Sequence, residues 1–289
     1  MRILNSSRLA TNTVRRKLAT LALRSLSSEE QAKIIEEFLG SIVTCAEVGD
    51  HTLRFTAPTP LLQWRAQTAI SKEPDTIRWI DQFRPDDILW DIGANIGVFS
   101  IYAAMLRGVC VLAFEPAADN YMFLCRNVAI NALFDRVVPY CIAFSGTTAL
   151  GVLNSHSATI GSALRQFGKR GDVSRYWPTK TGTCAQGMIG FSIDDFVQRF
   201  NQGFPSHLKL DVDGLEIDIL SGATETIRDP RMRSIMVELS VDDNEERDGA
   251  AALLAAAGFE LASHGEIQES AGARGANHLF VKRQYAGAR

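Results

Sequence analysis

From Ile88 onward the chain alternates short apolar runs with stretches whose apolar residues return every three or four positions. Ile88-Leu89-Trp90 leads through a glycine turn to Phe99, Tyr102 and Leu106 at helical spacing. The next run, Val109-Cys110-Val111-Leu112-Ala113-Phe114, ends in Glu115. A helix over residues 119–131, with Leu124 and Val128 on one face, precedes a third run, Val137-Val138-Pro139-Tyr140-Cys141-Ile142. Pro139 cannot donate a ladder hydrogen bond, so this strand is expected at or near a sheet edge. Ser192 is placed to cap a short helix through Phe196, and residues 208–212 form a central strand. Leu215, Ile219, Ala223 and Ile227 line one face of the helix that follows. A fifth strand over 234–239, a helix over 246–257 and a closing antiparallel pair, 258–261 with 277–281, complete the pattern. Such alternation predicts an α/β fold, a mostly parallel sheet covered on both faces.

The segment before this core is less regular. Residues 1–28 carry Arg2, Arg8, Arg15, Arg16, Lys17 and Arg24 and no acid. That composition suits an organellar presequence, a basic amphipathic arm or a solvated helix. Ser27-Ser28-Glu29-Glu30-Gln31 resembles a capping box, opening a helix through Ile34, Ile35 and Phe38 that stops before Gly40. Residues 42–48 and 52–56 flank Gly49-Asp50 as a hairpin. A helix over 61–70 and another opened by Glu73-Pro74-Asp75-Thr76 would cap the first core strand, with Trp64 and Trp79 as packing residues. Residues 1–60 are thus expected as an arm and hairpin, and 61–289 as the main domain. Periodicity fades between Gly146 and Gly190, apart from a short strand at 150–153. A loop insertion over 155–190 follows from that, basic and aromatic through Arg165, Lys169, Arg170, Arg175, Tyr176, Trp177 and Lys180, and a candidate for substrate contact.

Composition narrows the classes. The chain has 289 residues, 46% of them hydrophobic and 22% charged, with a net charge of −3. Neither nucleic acid nor an anionic membrane is called for as a bulk partner. Cys45, Cys110, Cys125, Cys141 and Cys184 are odd in number, widely spaced and free of any C-x-x-C pair, which suits a reducing compartment such as the cytoplasm. No apolar run is long enough to cross a bilayer.

The candidate chemistry centres on Asp91-Ile92-Gly93-Ala94-Asn95-Ile96-Gly97. Gly93 and Gly97 allow a sharp turn and close approach of a ligand, and the helix that starts here presents free N–H groups. Glu115 ends the second strand, where doubly wound folds keep an acid for a ribose diol. Dinucleotide enzymes favour G-x-G-x-x-G, whose glycines admit a pyrophosphate. An acid heading the loop would repel a pyrophosphate and suits a cation instead, so the charges favour S-adenosylmethionine over NAD. The plain alternative is that both glycines only permit close helix packing. Ala143-Phe144-Ser145 falls where an adenine ring would lie, unless Phe144 is simply core. Asp211 and Asp213, at the C-terminal end of the central strand, should face the same crevice as Gly93 and Glu115.

With these residues in place, residues 73–283 resemble the FkbM-type family of class I S-adenosylmethionine-dependent methyltransferases. Glu73-Pro74-Asp75-Thr76 is similar to the family's acid-proline element, and the Asp91 to Gly97 stretch to its cofactor loop. Glu115-Pro116 with Asn120 and Asn127 resembles its second-strand acid and following helix. Lys209-Leu210-Asp211-Val212-Asp213-Gly214-Leu215-Glu216 resembles its signature, with Asp at position 213 where Glu is usual. The resemblance implies a seven-stranded sheet with an antiparallel last strand, S-adenosylmethionine as methyl donor and an oxygen acceptor on a sugar, glycan or secondary metabolite. Candidate cofactor contacts are then Glu73, Asp91, Gly93, Ala94, Asn95, Gly97, Glu115, Pro116, Asn120, Ala143, Phe144 and Asp211. For the general base the order is Asp211, Asp213, then His207. Asp211 could instead bind the methionine part or cap a helix. A second route places Mg²⁺ on Asp211, Asp213 and Glu238. An NAD-dependent oxidoreductase and a non-catalytic S-adenosylmethionine-binding scaffold are the rival readings. Oligomeric state is left open, a homo-oligomer included.

Overall fold

The computed structural model describes residues 17–155, 159–163, 165–169, 184–270 and 273–286. Helix α1 (Ser28–Ser41) starts at a capping box: Ser27 Oγ accepts from the Glu30 amide, and the Glu30 carboxylate accepts from the Ser27 amide at 2.8 Å. It runs through Gly40 rather than stopping before it. Strands β1 (Val43–Val48) and β2 (His51–Thr56) pair antiparallel as a hairpin. Helices α2 (Pro60–Gln67) and α3 (Pro74–Ile80) follow, each with proline in its first turn.

The main sheet contains β3 (Ile88–Ile92), β4 (Cys110–Phe114), β5 (Val137–Tyr140), β10 (His207–Leu210), β11 (Ser234–Ser240), β12 (Phe259–His264) and β14 (Ala273–Lys282). Their spatial order is β12-β14-β11-β10-β3-β4-β5, with the short β13 (Gln268–Ser270) paired to β14 beside this path. The five strands from β5 to β11 are parallel neighbours, while β14 runs antiparallel to β11 and β12. Pro139 lies in β5 at the edge, as its missing donor requires. Chain order reverses between β3 and β10, which opens a crevice at the C-terminal ends of these strands.

Alternation along the strands explains the two cores. Leu89, Val111, Ala113 and Val137 face one side with Ile101 and Leu124, and the same core takes Leu53 and Phe55 of the hairpin. Trp90, Ile92, Leu112, Phe114, Leu208 and Leu210 face the other, against Phe196, Ile219 and Leu254. The helices covering the sheet are α4 (Val98–Tyr102), α5 (Ala118–Ile130), α6 (Ile193–Arg199), α7 (Glu216–Ser221), α8 (Thr224–Arg228) and α9 (Asn244–Ala256). The hairpin is tied to α5 by Asn127, whose Oδ1 accepts from the Thr56 amide at 2.7 Å while its Nδ2 donates to the Ile96 carbonyl at 2.9 Å.

The expected loop over 155–190 is in part a second sheet. Strands β6 (Ala143–Phe144), β7 (Ala149–Ser155), β8 (Arg165–Gly168) and β9 (Cys184–Phe191) pair in the order β6-β9-β7-β8. The apolar pattern is faint because one ring covers bare backbone: a Cβ on Gly151 or Gly190 would lie 2.5 or 2.4 Å from Phe167. Arg170, Arg175, Tyr176, Trp177 and Lys180 fall outside the described residues. All five cysteines are free thiols, and among the described residues no helix is long and apolar enough to cross a membrane.

Candidate active site

After β3 the backbone turns at Gly93, with φ +87°, where a Cβ would fall 1.8 Å from the Asp211 carbonyl oxygen. Only a residue without Cβ lets β3 and β10 deliver their ends so close together. The Gly93 and Ala94 amides donate to the Phe114 carbonyl at 2.9 and 3.0 Å, tying the turn to β4. Gly97, φ +85°, lets α4 start against Leu124 of α5. Glu115 is buried and accepts from the amides of Asn95 at 2.8 Å and Ala117 at 2.9 Å. Burial pushes its carboxyl up to about 7 although those amides pull downward. Asp91 lies beneath the turn, where Ser100 Oγ donates to Oδ2 at 2.6 Å. Burial raises it too, against the pull of Lys209. Its Oδ1 and the Oδ1 of Asn95 are buried without a partner within the protein.

The opposite wall is built on β10 and β11. Lys209, only 1% exposed, donates from Nζ to Asp211 Oδ2 at 2.6 Å and sits 4.8 Å over the Phe99 ring. Burial works against its charge, but Asp211, Glu73 and Asp91 reverse that and raise the ammonium's pKa. Asp211 is correspondingly held below the ordinary carboxylate range, the opposing burial being outweighed by Lys209 and by a hydrogen bond to Glu238. Glu73, at the start of α3, accepts from Thr76 Oγ1 at 3.1 Å and Asn277 Nδ2 at 3.0 Å. Asp213 has φ 62°, and the buried Glu216 accepts from the amides on either side of it, Val212 at 3.2 Å and Gly214 at 2.9 Å. Burial and the nearby Glu246 push Glu216 up to about 8.

A roof spans the two walls. Arg65 Nε donates to the Gly161 carbonyl at 2.6 Å, and the Gly161 amide donates to Asn120 Oδ1 at 2.8 Å. Arg165 pairs with Asp119 through both guanidinium ends. Beneath lies an open cleft of about 1450 Å³, solvent at its mouth included.

This cleft brings together Glu73, Gly93, Ala94, Asn95, Glu115, Pro116, Asn120, Asp211, Asp213 and Glu238, with Asp91 and Gly97 directly behind its wall. Ala143 and Phe144 do not line it: Phe144 is 3% exposed, stacked on Trp90 and edge-on to Phe114 and Phe196. His207 stands at the other end of β10, bonded to Ser234 Oγ at 2.7 Å and Asp87 at 3.1 Å and stacked on Phe83, so it serves packing there. No group of three or more His, Cys, Asp or Glu with metal-binding geometry occurs among the described residues. In place of the expected Mg²⁺ set, Lys209 Nζ donates to Asp211 Oδ2 at 2.6 Å, so an ammonium occupies an oxygen that a metal would need. Trp64 is 44% exposed at the cleft mouth instead of packed inside, whereas Trp79 is buried. Lys209 and Arg65 were missed as site residues. The signal for Lys209 was a lysine inside an otherwise apolar strand.

The strand order with its antiparallel β14, the glycine turn after β3 and the acid after β4 define a class I S-adenosylmethionine-dependent methyltransferase. The chain belongs to the family described as the methyltransferase FkbM domain, whose profile matches residues 91–267, more than half of its length. It is 25% identical over 201 residues to the hexuronic acid methyltransferase AglP of Haloferax volcanii, covering 69% of this chain and 76% of that one. It is 26% identical over 202 residues to the 31-O-demethyl-FK506 methyltransferase FkbM of Streptomyces tacrolimicus, covering 62% and 75%. Among solved structures, the putative transferase PH0793 of Pyrococcus horikoshii superposes with a TM-score of 0.46 at 13% identity, covering 83% of this chain and 72% of that one.

Proposed function

We propose that this methyltransferase acts on a hydroxyl oxygen of a sugar, a glycan or a glycan-like secondary metabolite. The observation that carries the reading is one cleft joining the glycine turn and Glu115 to an acid-rich wall under an exposed tryptophan. The two relatives named above, one for a hexuronic acid and one for 31-O-demethyl-FK506 by their names, support the same acceptor class.

The residues fit the cofactor. Glu115 offers a carboxylate to a ribose diol, the buried oxygens of Asp91 and Asn95 at the glycine turn have no protein donor, and Glu73 and Asp211 supply negative charge for an ammonium or sulfonium. Bound there, S-adenosylmethionine supplies an electrophilic methyl group, so the protein's task is alignment and exclusion of water. The roof formed by Arg65, Gly161 and Asn120 closes one side of the cleft. Asp211 and Asp213 line the same cleft and would accept hydrogen bonds from acceptor hydroxyls, and Trp64 would offer an apolar ring to a sugar face.

Calorimetric titration with adenosylhomocysteine and with NADH, followed by tritiated-methyl transfer to a panel of p-nitrophenyl glycosides, tests this. Binding of adenosylhomocysteine and labelling of a glycoside are expected. Binding with no label would reassign the protein as a scaffold, and binding of NADH alone would reject the class.

A further inference from the structure

Arg65 is carried on α2, where Leu62 and Ala66 are fully buried and fix the helix, and its own side chain lines the cleft. Its Nε donates to the Gly161 carbonyl at 2.6 Å. That carbonyl is itself held in place. Gly161 has φ +83°, and a Cβ there would lie 2.8 Å from Leu62 Cδ2, so bare backbone lets this turn rest on α2. The Gly161 amide donates to Asn120 Oδ1 at 2.8 Å, which anchors the same turn to α5. A guanidinium is planar and rigid, so fixing Nε also fixes the two terminal nitrogens. Among the described residues these two have no hydrogen-bond partner and Arg65 has no ion-pair partner, and neither nitrogen is sealed inside the protein. The other cations lining the cleft are committed: Lys209 to Asp211, Lys72 to Glu73, Arg165 to Asp119 and Arg274 to Asp242. Asp211, Asp213, Glu115 and Glu73 act on Arg65 from longer range, against the burial that disfavours its charge.

We propose that Arg65 is a carboxylate-binding residue of the cleft, its two terminal nitrogens taking the two oxygens of a ligand's acid group. This deepens the functional reading above and rests on it. Two parallel N–H···O bonds match the geometry of a carboxylate. A carboxylate also brings the single negative charge that one guanidinium balances, whereas a phosphate would set a second charge against the neighbouring acids. Two ligands of this cleft can supply the group. One is the methionine end of S-adenosylmethionine, whose ammonium and sulfonium would be met by Glu73 and Asp211. The other is an acceptor sugar that carries a carboxylate, a uronate.

Calorimetry with matched ligand pairs tests this, because a purely structural role for Arg65 would weaken both members of a pair alike. Decarboxylated adenosylhomocysteine keeps the nucleoside, thioether and amine of adenosylhomocysteine and lacks only the carboxylate. On the acceptor side, p-nitrophenyl glucuronide and p-nitrophenyl glucoside, titrated into the adenosylhomocysteine complex, differ in the same group. Arg65→Gln should weaken the acidic member of one pair roughly 10–100-fold while its partner without the carboxylate changes less than about threefold. Arg65→Lys, which keeps the charge but loses the fork, should recover part of the loss. A selective loss of adenosylhomocysteine assigns the group to the cofactor, and a selective loss of the glucuronide assigns it to the acceptor. Where the wild type binds no glucuronide, the nucleoside pair decides alone. Equal weakening within every pair, or no weakening at all, overturns the proposal. Failure of the underlying reading shows separately, as a wild type that binds neither adenosylhomocysteine nor its decarboxylated analogue.

Discussion

Lys209→Met removes one charge from the centre of the molecule while keeping most of the side-chain volume. Lys209 is 1% exposed, hydrogen-bonded to Asp211 at 2.6 Å and within electrostatic reach of Glu73 and Asp91. Removing one partner of a buried ion pair costs about 3–5 kcal/mol, because the other charge is left uncompensated. Asp211 keeps a side chain 25% exposed to the cleft and a hydrogen bond from Glu238, which places the loss near the lower end, about 3 kcal/mol. For a domain of this size each kcal/mol moves Tm by roughly 2–4 °C, so a fall of about 6–12 °C is expected. The loss also has a pH signature. With Lys209 present, Asp211 has a folded pKa below its unfolded value, so its contribution is present above the unfolded pKa and is lost as pH falls through the folded one. Without Lys209, burial raises that carboxyl, and the variant relieves its strain by taking up a proton. The deficit, measured as the difference in urea midpoints, should therefore be larger at about pH 7.5 than at about pH 5. A deficit below about 1 kcal/mol, or one that widens in acid, would refute the buried-charge reasoning.

Gly93→Ala should abolish adenosylhomocysteine binding in calorimetry, because its Cβ would collide with the Asp211 carbonyl at 1.8 Å and φ is +87°. A displacement of the turn worth about 1.4 kcal/mol already costs tenfold in affinity. Asn127→Ala strands the buried Thr56 amide and Ile96 carbonyl, and should cost about 1–3 kcal/mol in chemical denaturation and loosen hydrogen-exchange protection of the hairpin. Glu115 is pushed up to about 7 in the free protein, and a ribose diol prefers its ionised form, so adenosylhomocysteine affinity should rise with pH through that value. Glu115→Gln should flatten the dependence and bind more weakly.

Parts of the site were legible because their cause is local. Gly93 and Gly97 are needed by backbone conformations at their own positions, and a strand that ends in Glu115 or Asp211 delivers that acid to the C-terminal edge of a parallel sheet whatever surrounds it. Other features had no local signature. Phe144 and Trp64 are both aromatic residues in apolar settings, yet one completes an aromatic cluster with Trp90, Phe114 and Phe196 while the other stands at the cleft mouth. The strands β8 and β9 were hidden because Phe167 supplies the apolar cover that Gly151 and Gly190 lack. His207 carries a catalytic side chain but sits at the wrong end of its strand, against Phe83, Asp87 and Ser234.

The order of strands and helices, the glycine turn and the acids at the strand ends were thus determined by the sequence alone, since periodicity and backbone freedom act within a few residues. Only the tertiary structure decided the electrostatics of the cleft, because the directions in which Lys209, Asp211 and Glu238 are shifted depend on neighbours contributed by separate strands and on how far burial excludes water.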